Sequence, residues 1–215
     1  NLERVVSESE TMLLSSGAYT EPLAVSDEGI YAYSYYSTDK AGNIEPEKDG
    51  SFKIDISSPV ILALSTPAAN ASGWNNSAVT AVFSGTDSIS GIAFCTTNQT
   101  VSIEGGNQII IGSCADLAGN IAYSTAIVNM DLSSPLVSTV GTPPANAAGW
   151  NNTAVTVAFT ATDALSGTAY CVPEKAISVE GSNQSISGYC MDYAGLSSTA
   201  TYVVSIDSTA PVSTA

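Results

Sequence analysis

Hydrophobic and polar positions alternate along most of this chain with the period of two that a half-buried strand requires, and no stretch keeps helical period long enough to build a helix. Residues 79–83, Val-Thr-Ala-Val-Phe, place Val79, Ala81 and Phe83 on one face, and Val155, Val157 and Phe159 fall the same way further on. Those faces are predicted to be buried. Ile110, Gly112 and Cys114 share one parity and return as Ile186, Gly188 and Cys190, whereas the opposite parity changes from Ile109, Ile111 and Ser113 to Ser185, Ser187 and Tyr189. The second face is therefore expected to be wetter. Strands are predicted over 59–65, 77–85, 92–96, 100–104, 107–115 and 121–130, with turns at Pro67 to Asn76, Asp87 to Gly91, Glu104 to Asn107 and Asp116 to Asn120. So many short strands, punctuated so closely, predict an all-β fold, a small antiparallel sandwich. The segment between Cys95 and Thr100 is too short for a further hairpin, so one sandwich strand is expected to be vestigial.

The pattern repeats every 76 residues without a gap. Asp55-Ile-Ser-Ser-Pro59 returns as Asp131-Leu-Ser-Ser-Pro135 and as Asp207-Ser-Thr-Ala-Pro211, and Gly73-Trp-Asn-Asn76 returns as Gly149-Trp-Asn-Asn152. Aligning 55–130 on 131–206 gives 36 identities in 76 positions, a tandem duplication. Residues 1–54 hold only part of a repeat: Glu28-Gly29 lies 76 positions before Glu104-Gly105, and Asp39-Lys-Ala-Gly-Asn43 matches Asp116-Leu-Ala-Gly-Asn120 with one insertion. The expected organisation is the C-terminal part of a domain over 1–54, full repeats over 55–130 and 131–206, and the first strand of another over 207–215, together an elongated array.

Composition narrows the function. Five Lys+Arg against twenty Asp+Glu and no His give a net charge of -15, which repels phosphate backbones and anionic membranes. Nucleic acid is not an expected partner, and no apolar run is long enough for membrane insertion. The four cysteines, Cys95, Cys114, Cys171 and Cys190, form one pair per full repeat, 19 positions apart. Two thiols without His cannot complete a zinc shell, so each pair is expected to be a disulfide, which implies an oxidising, extracellular location. With no His, no phosphate loop and carboxylates confined to turns, the chain is not expected to be an enzyme or to carry an organic cofactor.

The combination of the linker Asp-x-Ser/Thr-x-Pro, Gly-Trp-Asn-Asn, Thr86-Asp-x-x-Ser-Gly91, Glu-Gly and Asp-x-Ala-Gly-Asn resembles the immunoglobulin-like repeats of large prokaryotic secreted and cell-surface proteins, including adhesin stalks. Residues 55–206 follow that pattern throughout and 20–54 follow its second half. The resemblance implies extracellular stalk, spacer or adhesion modules in tandem. The chain departs from the pattern at Leu196, where the second repeat loses the Asn of its turn, and in its disulfides.

An immunoglobulin-like topology would gather Asp55, Asp87 and Asp116 at one pole of the first repeat, and Asp131, Asp163 and Asp192 at the same pole of the second. Three carboxylates with Asn120 and loop carbonyls are hard oxygen ligands suited to Ca2+; the alternative is that each Asp caps its own turn. Trp74 and Trp150 either plug the end of the sandwich or stack on sugars. Tyr31, Tyr33, Tyr35 and Tyr36 are expected to be core and surface cover. Asn70, Asn75, Asn98, Asn151 and Asn183 lie in glycosylation sequons, each in or near a turn. Three functions are compatible with these features: a rigid stalk or fibre segment whose partners are neighbouring repeats, accessory modules that bind surface glycans for a hydrolase or lectin, and a filament subunit assembled by strand exchange.

Overall fold

The computed structural model describes residues 2–7, 10–15, 17–18 and 21–213, with side chains from residue 17 onward. The described residues are all β: sixteen strands and no helix. β1 (Leu2–Ser7), β2 (Glu10–Ser15), β3 (Gly29–Tyr35) and β4 (Lys48–Ile54) make a four-stranded antiparallel sheet in the order β2-β1-β3-β4. β5 (Val60–Thr66), β6 (Val79–Thr86), β7 (Ile92–Cys95), β8 (Gln99–Val101), β9 (Gly105–Asp116) and β10 (Ile121–Met130) follow. Then come β11 (Leu136–Thr142), β12 (Val155–Thr162), β13 (Thr168–Cys171), β14 (Lys175–Ile177), β15 (Gly181–Asp192) and β16 (Ser197–Ile206). Strand lengths run seven, eight, four, three, twelve and ten residues in both series. The sheet orders correspond too: β5-β6-β8 and β10-β9-β7, then β11-β12-β14 and β13-β15-β16.

Contacts group the chain into two compact units. The first comprises Asn1–Ala63, Phe83–Thr97 and Ile111–Thr125. In it, Tyr31 is buried and stacks on Phe52 at 5.0 Å between ring centroids, while its hydroxyl donates to the Asp27 carbonyl at 2.7 Å. Tyr33, Tyr35 and Tyr36 are exposed, so the tyrosine-rich strand divides into one core residue and surface cover. The hairpin of β1 and β2 lies beside β3, where the sequence pattern predicted no element. Cys95 is bonded to Cys114 across the directly paired strands β7 and β9.

The second unit comprises Leu64–Val82, Asn98–Ile110 and Ala126–Ala215. Its core joins Val155, Val157 and Phe159 of β12 to Cys190 of β15 and to Val204 and Ile206 of β16, with Val137, Ile186 and Tyr202 packed around them. The two three-stranded sheets of residues 136–206 thus bury one face against each other, and β12 alternates buried and half-buried positions as the period-two pattern requires. The wetter parity of β15 is Ser185, Ser187 and Tyr189, all exposed. Cys171 is bonded to Cys190, again across a directly paired position. The short strand β14 takes up only three residues between β13 and β15, which leaves no room for a further strand. Strand β15 begins at Gly181, earlier than the turn at this position predicts, because Asn183 adopts a positive φ of 52° and the register shifts between Gly181 and Gln184. Such a bulge lets a turn-forming residue sit inside a strand.

Gly188 has a specific steric reason. A Cβ on it would meet the Phe159 ring at 2.6 Å, so the glycine makes room for the largest side chain of the core. Gly112 stands in the same relation to Phe83 in the first unit. Gly188→Ala is expected to destabilise the protein by about 1–3 kcal/mol, the usual cost of overpacking, read as a lowered thermal midpoint. Ser185→Ala, on the exposed parity, is expected to leave that midpoint nearly unchanged.

Candidate functional site

Each turn that carries an aspartate folds around it. Asp87 Oδ1 accepts from the amides of Ile89, Ser90 and Gly91 at 3.1, 2.9 and 2.9 Å. Asp163 Oδ1 accepts from Leu165 and Gly167 at 3.1 and 2.8 Å. Asp116 Oδ1 accepts from Gly119 and Asn120 at 2.7 and 2.9 Å, and its Oδ2 from the Asn120 side chain at 2.8 Å. Asp39 and Asn43 repeat that arrangement, with the side-chain contact again at 2.8 Å. Every one of these aspartates is a turn former.

The turns also converge. Asp55, Asp87 and Asp116 bring one carboxylate oxygen each to within 4.8 Å of one another, and Asp131, Asp163 and Asp192 do the same. The residues that the sequence analysis grouped are therefore neighbours in space, three and three. Asp131 and Asp192 are buried, with 0% and 1% of their surface exposed. Leu196 donates its amide to Asp192 Oδ1 at 2.9 Å but has no side-chain donor, and Asp192 Oδ2 is buried without a hydrogen-bond partner.

The linker aspartates tie their own turns to the next. Asp131 Oδ1 accepts from Ser133 at 3.0 Å, and its Oδ2 from the amide of Ser166, in the Asp163 turn, at 3.1 Å. Asp55 makes the matching pair with Ser57 and Ser90, both at 3.1 Å. The Asp131 amide in turn donates to the Asn75 carbonyl at 2.9 Å, and that of Asp207 to Asn151 at 2.9 Å. Asn75 and Asn151 are buried and donate their side-chain amides to the carbonyls of Pro67 and Pro143 at 3.1 and 2.9 Å. The second residue of each Trp-Asn pair is thus a clasp that holds the end of the last strand, bridged in parallel to Met130 and Ile206.

A recurring glutamate completes the linker, a role the sequence analysis left unassigned although Glu-Gly recurs at 28, 104 and 180. Glu104 accepts from the Leu132 amide at 3.1 Å and from the Ser133 hydroxyl at 3.0 Å. Glu180 accepts from the amide of Ser208 and from the hydroxyls of Ser208 and Thr209. Glu28 accepts from the Ser57 hydroxyl at 2.6 Å. The only signal available was the spacing itself, 76 residues between glutamates and 28 or 29 from each to its linker partners.

Asn70 donates its side chain to the Tyr193 carbonyl at 2.8 Å, which seats the Trp74 turn on the Asp192 turn. Trp74 is half-buried and lies near Gly106, whereas Trp150 is 38% exposed and lines a shallow pocket of about 210 Å³ with Pro143, Pro144 and Asn146. Of the sequon asparagines, Asn98 and Asn183 are exposed, Asn70 is exposed but engaged with Tyr193, and Asn75 and Asn151 are committed to their clasps. No family model matches the chain, and no curated protein matches it.

Several carboxylates are held below their ordinary pKa. The Gly91 amide does this for Asp87, the Ser208 hydroxyl for Glu180, and Lys48 for Glu45. For Asp116 and Asp131 burial pushes upward but is outweighed by donors, chiefly the Asn120 amide and Ser166. A lowered folded pKa means that the charged form stabilises the fold. That stability is present above the unfolded values of about 4 and is lost as pH falls through the lowered values. The melting temperature is expected to stay level from about pH 8 to 5, there being no histidine, and to drop below about pH 4. Asn151→Ala is expected to cost about 0.5–1.5 kcal/mol by removing the side-chain hydrogen bond to the Pro143 carbonyl, whereas Asn98→Ala is expected to be silent in the same denaturation experiment.

Proposed function

We propose that this chain is a non-enzymatic extracellular structural segment built from tandem immunoglobulin-like repeats, a stiff stalk or fibre portion of a larger secreted or surface protein. The observation that carries the reading is the double anchorage of the linker aspartate. The backbone of Asp131 is held by Asn75 and the next two residues by Glu104, while its carboxylate caps the turn of Asp163. A junction fixed from both sides transmits orientation along the chain, which is what a spacer requires.

The strand order supports the immunoglobulin-like part. In residues 136–206 the sheets β11-β12-β14 and β13-β15-β16 correspond to an A-B-E sheet and a C-F-G sheet with strand D absent. Strands β5 to β10 begin 76 positions before their counterparts β11 to β16. The disulfide joins the strands in the C and F positions within one sheet, unlike the inter-sheet bridge of antibody domains. Disulfides in both series agree with an oxidising compartment, and no helix is long and apolar enough to cross a membrane. Boundaries near 55, 131 and 207 follow from this reading; of the last segment, residues 214 and 215 lie outside the described residues.

Glycan binding is the second reading, favoured by the exposed Trp150 and its proline-lined pocket. Titration of intrinsic fluorescence with oligosaccharides separates the two: the structural reading expects no saturable change, and a change abolished by Trp150→Ala would establish the second.

Small-angle scattering tests the main proposal. Strands of twelve residues span about 40 Å, so the array is expected to have a radius of gyration of about 25–30 Å against about 17 Å for a compact globule of this length. Asp131→Ala is expected to broaden the distance distribution without unfolding either repeat. A compact profile for the wild-type chain would contradict the stalk.

A further inference from the structure

The duplicated turns differ at one residue with a chemical consequence. In the first triad the Asn120 side-chain amide donates both to Asp116 Oδ2 at 2.8 Å and to the Asp55 carbonyl at 3.2 Å. It occupies the space between the turn and the linker and supplies the positive end of a dipole to two acceptors. Its counterpart in the second repeat is Leu196, which can donate to neither Asp192 Oδ2 nor the Asp131 carbonyl. The carboxylate that loses its partner is buried, as Asp116 is: Asp192 is 1% exposed and its Oδ2 has no hydrogen-bond partner. Beside it stand Asp131, fully buried, and Asp163, with one oxygen from each of the three within 4.8 Å of the others. The ion pair among the described residues is Lys48 with Glu45, so no basic side chain is bridged to this cluster.

We propose that the second triad, Asp131, Asp163 and Asp192, is a site for a hard divalent cation, Ca2+ in preference to Mg2+, and that the first triad is not, because the Asn120 amide already fills its place. A buried carboxylate oxygen needs a hydrogen bond or a cation, and Leu196 has removed the hydrogen bond. The available donors are all oxygen: Asp192 Oδ2, the carboxylates of Asp131 and Asp163, and the Asp131 carbonyl that answers to the one Asn120 holds at Asp55. Ca2+ takes six to eight oxygens at about 2.3–2.6 Å in flexible geometry, so its shell, about 5 Å across, can take in three carboxylate oxygens that lie within 4.8 Å of one another. Mg2+ demands near-ideal octahedral geometry and gives up water reluctantly, which suits carboxylates already fixed by their own turns less well. Because Asp131 belongs to the linker, the bound ion would fasten the junction as well as the turn.

Calorimetric titration of the full chain after chelator treatment tests the proposal, with CaCl2 and MgCl2 as separate probes and thermal melts in parallel. One Ca2+ per chain is expected, with a raised melting temperature and weaker binding of Mg2+. Leu196→Asn, which restores the residue found in the first repeat, is expected to weaken Ca2+ binding by about tenfold or more while melting in chelator no lower than wild type. Asn120→Leu is expected to raise the stoichiometry to two. Absence of Ca2+ binding, two equivalent ions on the wild-type chain, or undiminished affinity in a folded Leu196→Asn would each overturn the assignment.

Discussion

The interaction on which the rest of the structure depends is the attachment of the linker aspartate to both of its neighbours. Asp131 donates its amide to Asn75 on one side and accepts the Ser166 amide on the other, and it is the most buried charged residue of the described chain. A carboxylate is rarely withdrawn from water so completely unless donors replace its hydration. Here backbone amides do so, because the turn after each aspartate presents them as a cluster. The linker therefore folds as part of two turns, and its direction is fixed by hydrogen bonds to residues in separate loops. Glu104 adds a second hold on Leu132 and Ser133, so that two successive residues after Asp131 are restrained as well.

Much of this was legible in the sequence, for identifiable reasons. The burial of Val155, Val157 and Phe159 follows from period two, and the cysteine pairs from equal spacing and shared parity. The convergence of the aspartates was legible because each sits at a fixed place in a turn, and a sandwich brings its turns to two poles. The part that escaped depends on contacts across the sheet or between distant loops. Nothing local in Glu104 distinguishes it from a solvated surface charge; its role appears only once the linker runs beside it. The β1 and β2 hairpin escaped because it lacks the motifs that mark the other repeats. The positive φ of Asn107 and Asn183 is a backbone property, and the residues were read as an ordinary turn where the chain instead makes a bulge.

Residues 60–130 and 136–206 carry strands of the same lengths in the same order while their surfaces differ. Gly112 and Gly188 persist because the phenylalanines above them leave no space for a Cβ, and Asn75 and Asn151 are both buried, each donating its side-chain amide to the Pro67 or Pro143 carbonyl. Where no such constraint acts, the copies differ: exposed Ile109 answers to Ser185, and half-buried Trp74 to the more exposed Trp150. Asn120 and Leu196 are the exception, a difference at a position that does carry a constraint. An unpaired carboxylate oxygen is left behind in one copy, and a change of this kind alters chemistry without altering fold.

Amide hydrogen exchange at Ser166 tests the two-sided attachment most directly. Its amide is held by Asp131, whose next two residues, Leu132 and Ser133, are held by Glu104. If the linker is one mechanical element, Glu104→Ala must lower the protection of the Ser166 amide, and Asp131→Ala must lower it further. Unchanged protection at Ser166 in a folded Glu104→Ala would mean that the two attachments of this segment are independent, and the two-sided anchorage of Asp131 would fail.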